Sequence, residues 1–284
     1  MNFRIGCAVW SYKGWVGDFY PPGSRPTDFL HLYSQRFTAV EGNTTFYAIP
    51  DFNTVKRWVA QTSPGFEFCL KLPREITHQG LLEPYILDAL SFVEKMQGLG
   101  DRLGVIQAQL PPSYSPACLD DLTNFLNALP RGEVQFALEV RHVDWFREPY
   151  AARLTKLLQQ LGIGRVLLDS RPMYTGADDP QLQSERKKPK LPLQMSVTAP
   201  FSLIRFISHP TLDFNQTFLE EWVAFVEQWL HQGTRLYFFV HCPVEECSPH
   251  NARYFQQMLS QQGVSVPPLP WNNIQQFPNQ LSLF

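Results

Sequence analysis

The chain has 284 residues, 44% of them hydrophobic, enough to bury one large core or two small ones. Its 24 basic and 26 acidic residues leave a net charge of -2, so no global field draws it to a membrane or to an extended nucleic-acid footprint. No apolar run is long enough to span a bilayer, and the apolar start at residues 3–9 is too short for a signal peptide and has no small-residue cleavage site after it. The five cysteines are odd in number and two fall inside strand-like runs, which fits free thiols in a reducing cytoplasm, the expected location.

Taken in chain order, strand-like apolar runs cover residues 3–9, 38–42, 66–72, 103–109, 134–140, 163–168, 201–207 and 236–240. Segments of helical period separate most of them. Ile86, Leu87, Leu90, Val93 and Met96 share a face that stops at Gly98, and Leu119, Leu122, Phe125, Leu126 and Leu129 repeat the pattern. Leu154, Leu157, Leu158 and Leu161 lead to Gly162 at a C-cap position. The strongest stripe is Phe218, Trp222, Val223, Val226, Trp229 and Leu230, ended by Gly233. About eight strand–helix units in a chain of this size predict an α/β fold, a single (β/α)8 TIM-type barrel over residues 1–263. An open doubly wound sheet is the alternative, but no G-x-G-x-x-G or G-x-x-x-x-G-K turn follows any strand. Two segments break the cadence. A Pro-rich insertion at about 175–200 carries the basic cluster Arg186, Lys187, Lys188 and Lys190, and after strand six it would hang over the barrel rim. From 264 to 284 a second Pro-rich stretch reads as an extended, loosely attached tail.

Several strands turn polar at their carboxyl ends, where barrel active sites lie. Lys71 ends one, Gln107 and Gln109 another, Glu139 and Arg141 a third. Because strand side chains alternate faces, Glu139 and Arg141 point the same way, as do Gln107 and Gln109, and Glu41 with Asn43. With Asp169 and Arg205 these converge on one mouth if the barrel forms. Two carboxylates near a lysine and two arginines can run acid–base chemistry and grip an anionic or hydroxyl-rich ligand. Glu139 and Glu41 are the candidate acid–base pair; Lys71, Arg141 and Arg205 would hold anionic groups, with Asn43, Gln109 and Asp169 orienting the ligand. The bland alternative is a ring of salt bridges closing the barrel top. Trp10, Tyr12, Phe46, Tyr47 and Trp145 follow strand ends and could stack on a sugar or base, or simply pack the rim. His78 joins the ligand-binding candidates, and with Glu41, Glu139, Asp169, His142, His209 and His241 supplies residue types that suit a divalent metal. No H-x-H, H-E-x-x-H or D-x-D spacing gathers them, so no metal ligand or cofactor is assigned. His241-Cys242-x4-Cys247-x2-His250 matches no common closed zinc site.

The motifs GCAVWSYKGWVGDFYP (Gly6 to Pro21), VEGNTTFYAIP (Val40 to Pro50), LKLPREITH (Leu70 to His78), QLPPSY (Gln109 to Tyr114) and ALEVRHVDW (Ala137 to Trp145) occur in order. Together they resemble the YecE-like proteins, the domain of unknown function 72 family, over the chain up to about Leu259. The resemblance implies a TIM-type barrel without an established reaction. The late motifs depart from the family pattern: Arg205-Phe206-Ile207-Ser208-His209 stands where the family tends to read Arg-x-His-Gly, and His241-Cys242-Pro243 where it tends to read paired asparagines. The last five residues, Gln280-Leu281-Ser282-Leu283-Phe284, resemble the bacterial sliding-clamp binding peptide. A proline-stiffened tail would offer a hydrogen-bonding glutamine and three apolar side chains to a clamp pocket; folded back, the same side chains would cover the barrel. The two functions left open are an enzyme acting on a small anionic or sugar-like ligand and a non-catalytic ligand-binding or clamp-binding adaptor.

Overall fold

All strand pairings in the main sheet are parallel, and its order, β1-β8-β7-β6-β5-β4-β3-β2, brings the first and second strands to opposite edges that then meet. The computed structural model describes residues 2–175, 179–182 and 187–273. The strands are β1 (Phe3–Cys7), β2 (Ala39–Gly42), β3 (Glu67–Lys71), β4 (Leu103–Gln109), β5 (Gln135–Glu139), β6 (Gly164–Asp169), β7 (Phe201–Ile207) and β8 (Arg235–His241). Between and after them run α1 (Phe29–Ser34), α2 (Thr44–Tyr47), α3 (Phe52–Gln61), α4 (Arg74–Thr77), α5 (Ile86–Gln97), α6 (Leu119–Ala128), α7 (Tyr150–Leu161), α8 (Asp213–His231) and α9 (Ser248–Gln261). The fold is thus an α/β (β/α)8 barrel, as the strand–helix cadence predicts. Closure falls between β1 and β2: Thr38 N donates to Ile5 O at 3.2 Å, and Ile5 N donates to Thr38 Oγ1 at 2.9 Å. Gly6 is required there, because a Cβ at that position would lie 1.9 Å from the Ala39 carbonyl oxygen.

Period-2 alternation divides the strand side chains into two cores. Ala39, Cys69, Val105, Ala137, Val166, Leu203 and Phe239 fill the lumen with mostly small or branched groups. The opposite faces, among them Ile5, Val40, Phe68, Ile106, Leu138, Leu167, Ile204 and Phe238, pack under the helices. Helix α8 buries Trp222, Val226 and Trp229, the predicted stripe, and α7 ends at Gly162 in the left-handed conformation with φ 63°. Below the lumen core, at the amino ends of the strands, Glu67 accepts from Arg4 Nη2 at 2.7 Å and Tyr237 OH at 2.7 Å, and pairs with Arg235. This closes the end of the barrel away from the ligand loops.

Residues 264–273 are held to the barrel, unlike the loosely attached tail read from their prolines. Val264 N bonds Leu259 O at 2.9 Å, and Gln256 Nε2 donates to Pro267 O at 2.9 Å. Trp271 is buried against Phe19 and Phe37, with ring centroids 5.1 and 5.4 Å away and the Arg36 and Arg253 guanidinium groups over its face. One aromatic anchor offsets the weak propensity of the flanking prolines. The peptide Gln280–Phe284 lies outside the described residues. No helix among the described residues is long and apolar enough to cross a membrane.

Candidate active site at the carboxyl-terminal mouth

Alternation aims Glu41, Lys71, Gln107, Gln109, Glu139, Arg205 and His241 into the top of the lumen, and all are buried. Arg205 is the hub. Its Nε donates to Glu41 Oε2 at 2.8 Å and its Nη1 to Glu139 Oε2 at 2.7 Å. Lys71 Nζ is ion-paired to Glu41 Oε1 at 2.9 Å and donates to Gln109 Oε1 at 2.8 Å. Gln107 Nε2 donates to Glu139 Oε2, and Arg141 Nε to Glu139 Oε1, both at 2.7 Å. His241 Nε2 stands 2.8 Å from Glu41 Oε2. All four carboxylate oxygens of Glu41 and Glu139 are therefore engaged. Charges this deep persist only when paired in this manner.

Proton affinities follow from that pairing. Burial works to raise the Glu139 carboxyl, but Arg205, Arg141 and Lys71 outweigh it and hold it at about 2. Glu41 is likewise held well below the carboxylate range, burial being overcome by Arg205, Lys71 and His241. Burial and the Arg205 charge push Lys71 down to about 8 despite the two carboxylates. Burial, aided by Arg205 and Lys188, depresses His241 to about 3, so it is a neutral imidazole donating to Glu41.

Above this floor opens a cavity of about 480 Å³, within the usual size of small-molecule sites. Lys71, Arg74, Arg141, Lys187, Lys188 and Arg205 line it, and among the described residues no Asp or Glu does. Local structure explains each placement. The Thr45 hydroxyl donates to Lys71 O at 2.7 Å, tying α2 to β3 and setting Phe46 and Tyr47 on the wall. Asn43 Nδ2 donates to Ala8 O at 2.8 Å and so fixes the β2 loop to the end of β1. Arg74 and His78 lie four residues apart at the two ends of α4 and reach the same cavity. The insertion after β6 supplies the last wall: Tyr174 OH donates to Lys188 O at 2.6 Å and Ser170 Oγ to Pro189 O at 2.9 Å, which hold this strap over the mouth. Burial in that cationic surrounding depresses Lys188 to about 8 and, with Arg141 and Arg74, His78 to about 4.

Of the residues singled out from sequence, Glu41, Lys71, Gln109, Glu139, Arg141, Arg205, Asn43, Tyr47 and His78 come together at this mouth. Asp169 does not. It shares its face with Leu167, which points outward, and its carboxylate accepts from Trp222 Nε1 at 2.8 Å and pairs with Arg171 Nη2 at 2.9 Å under α8. Its own face also carries Arg165, while the inward face of β6, Gly164, Val166 and Leu168, is apolar, so its place at the strand end and not alternation suggested the mouth. Trp10 is core, edge-on to Trp58 and Phe68 with ring centroids 5.4 and 6.0 Å away. Tyr12 turns aside to bond Glu246 on the β8 loop. Among the histidines, His142 accepts from Asp144 N and His209 from Thr211 N, each capping its own turn. Among the described residues no group of three or more His, Cys, Asp or Glu is placed to hold a metal ion. Sequence reasoning missed the lining roles of Arg74, Lys187 and Lys188 and the His241–Glu41 contact. The signal for Arg74 was its place just past Pro73, one turn after a strand end. For the lysines it was the basic run in a segment expected over the rim.

Comparison with known proteins agrees with this architecture. The family model described as "Protein of unknown function DUF72" matches residues 4–274. UPF0759 protein YecE of Escherichia coli K12 is 37% identical over 242 residues, covering 84% of this chain and 86% of that protein. UPF0759 protein YunF of Bacillus subtilis is 28% identical over 160 residues, 52% of this chain and 56% of that one. Among solved structures, a DUF72 family protein of Enterococcus faecalis superposes with a TM-score of 0.72 at 17% identity, over 97% of this chain and 99% of that chain. Another from Thermotoga maritima gives 0.69 at 22% identity, over 92% and 100%. At these identities the structural likeness speaks for the fold alone.

Proposed function

The chain belongs to the DUF72 family, and on that footing we propose that it is an enzyme acting on a small, multiply anionic ligand, phosphorylated or hydroxyl-rich, bound at the barrel mouth. The observation that carries this reading is the lining of the cavity by six cationic side chains with no carboxylate among its described residues. Glu41 and Glu139 beneath, and Asp179 paired with Lys187, offset three of those charges. The remaining excess of three suits a ligand carrying two or more negative charges. In this proposal Glu139 is the acid–base group and Glu41 its partner. Arg141 both faces the cavity and covers Glu139 Oε1, so an anion that draws Arg141 to itself uncovers that oxygen for proton transfer.

The engagement of both carboxylates, three oxygens by hydrogen bonds and Glu41 Oε1 by the Lys71 ion pair, favours a second reading, a module that binds the same ligand without transforming it. Titration with pyrophosphate followed by a turnover screen on phosphomonoesters and phosphodiesters separates the two. Binding that is lost in Arg141→Met, with turnover lost in Glu139→Gln, supports the enzyme. Binding without turnover of any ester supports the module, and absence of millimolar pyrophosphate binding ends both.

The tail Gln280-Leu281-Ser282-Leu283-Phe284 belongs to the same proposal as a docking peptide for the DNA polymerase sliding clamp, on its likeness to that motif. Deleting these residues and measuring clamp affinity tests it, and unchanged binding removes it. A cytoplasmic location is part of this reading.

A further inference from the structure

We propose that Lys71 is a nucleophile as well as a cation: its Nζ forms an imine with the carbonyl carbon of a phosphorylated aldehyde or ketone held at the mouth. This deepens the anionic-ligand reading above and rests on it. The cations around the cavity stand at two levels. Arg74 on α4, Arg141 after β5, and Lys187 and Lys188 on the strap form the wall, whereas Lys71 and Arg205 rise from β3 and β7 on the floor. A phosphate on the wall therefore leaves the carbon end of a small ligand over the floor. Arg205 offers that end no nucleophile, since its guanidinium keeps its proton and is held by Glu41 and Glu139. Lys71 does, because an ammonium that gives up its proton becomes an amine with a free electron pair.

The surroundings of Lys71 suit both forms. Burial and the Arg205 charge bring it down to about 8, so about a tenth of the side chain is free amine at pH 7, against about one part in 2,500 for an ordinary lysine. Addition of that amine joins the nitrogen to the carbonyl carbon and turns the C=O into a hydroxyl. The hydroxyl then leaves as water while the nitrogen lone pair closes the C=N bond. Counting the proton exchanged with solvent, the Lys71 ammonium and a carbonyl become a protonated imine and one water, with no change in charge. The new cation thus stands where the ammonium stood, beside Glu41 Oε1 and Gln109 Oε1, which lie 2.9 and 2.8 Å from Nζ. Glu41 remains a carboxylate there, its other oxygen held by Arg205 and His241. A protonated imine also acidifies the neighbouring C–H bond, which gives the Glu139 acid–base group a proton to move that a bare phosphate lacks.

Reductive trapping tests the idea. The protein is incubated near neutral pH with dihydroxyacetone phosphate or glyceraldehyde 3-phosphate and cyanoborohydride, and the stable secondary amine is located by peptide mass mapping. The adduct should sit on Lys71 at about tenfold or more the level of any other lysine, a margin within what its amine fraction allows. Excess pyrophosphate should suppress it, and dihydroxyacetone, which lacks the phosphate, should label Lys71 about tenfold less or weaker still. Lys71→Arg, which keeps a cation beside Glu41, should lose the adduct; because the site is mapped on the wild type, the test stands even if that variant does not fold. No adduct from either probe, labelling spread evenly over the lysines, or preferential labelling of Lys188 overturns the Lys71 assignment, while calorimetric binding of pyrophosphate leaves the anion site standing. Equal labelling by dihydroxyacetone and its phosphate overturns the phosphorylated substrate class. If pyrophosphate does not bind, the underlying reading has failed instead.

Discussion

Arg205 and Glu41, separated by 164 residues in sequence, meet inside the barrel with Arg205 Nε 2.8 Å from Glu41 Oε2. The same guanidinium reaches Glu139 Oε2 at 2.7 Å, so β7 is joined to β2 and to β5 across the lumen. Removing it leaves two buried carboxylates facing a single lysine and Arg141. Arg205→Met is expected to cost about 3–5 kcal/mol, the range for breaking a buried charge pair from one side. The quadruple variant Arg205→Met, Glu41→Gln, Glu139→Gln, Lys71→Met should recover most of that loss, since of the network only the part-exposed Arg141 then keeps its charge. Urea unfolding of the three proteins checks it. A loss below about 1 kcal/mol in the single variant would mean the lumen admits water at the hub.

Acid should destabilise the protein in a defined window. Glu139 titrates at about 2 when folded, against about 4.3 for an ordinary glutamate. A depressed folded value gives stability that is complete above the unfolded value and lost as pH falls through the folded one. His241, held near 3 against about 6.5 when unfolded, acts in the same direction. Below about 6.5 the unfolded chain takes up the proton that the buried imidazole refuses. These groups should therefore lower the urea midpoint between about pH 6.5 and pH 2, His78 at about 4 adding to the fall and Glu245 at about 7 opposing it above about pH 4.3, so that the descent is steepest at the acid end. In His241→Asn the upper half of that slope should flatten, and a variant with the wild-type slope would refute the assignment.

What could be read from sequence was what alternation and cadence encode. Glu139 with Arg141, and Gln107 with Gln109, had to share faces. Once eight parallel strands close, the inward faces end in one place. Lys71, the last residue of β3, and Arg205, set among the apolar residues of β7, were legible for the same reason, as polar residues late in strand-like runs. Asp169 misled because it closes an apolar run at a strand's carboxyl end, although it shares the outward face with Arg165 and Leu167, and its partner Trp222 comes from a helix 53 residues away. Trp10 and Tyr12 look alike as aromatics after a strand. Only tertiary packing sends one into the Trp58–Phe68 cluster and the other to Glu246. Lys188 reaches the mouth through hydrogen bonds from Tyr174 and Ser170, contacts that carry no periodic signature.

Glu245 on the β8 loop is the opposite kind of carboxylate. Burial raises it to about 7, with Glu246 and Glu41 adding repulsion against the pull of Ser248 and Lys188, and its Oε1 is buried without a hydrogen-bond partner. A raised folded value means that its contribution is complete below about pH 4.3 and is lost as pH rises through 7. Glutamine imitates the neutral acid. Glu245→Gln should leave stability unchanged near pH 4 and increase it by on the order of 1–2 kcal/mol near pH 8.5. Chemical denaturation at the two pH values decides; a loss of stability at the higher one would mean that the ionised carboxylate is favoured there after all.

Ligand affinity should carry the signature of the two mouth lysines. Lys71 and Lys188 each lose their proton near pH 8, Lys71 through burial and Arg205, Lys188 through burial with Arg205 and Arg141. Sulfate is a suitable probe because its own charge does not change in this range. A bound anion favours both protonated amines, so affinity should be level well below about pH 8 and fall above it, and binding near and above that pH should take up a fraction of a proton. Lys188→Met, on the strap and away from the buried network, should weaken sulfate by several-fold at pH 7 and make the alkaline fall shallower, because only Lys71 then titrates. Raising the salt concentration should weaken binding in both proteins, less steeply in the variant. An affinity that does not change between pH 7 and 9.5 would place the anion on the arginines alone and remove both lysines from its shell.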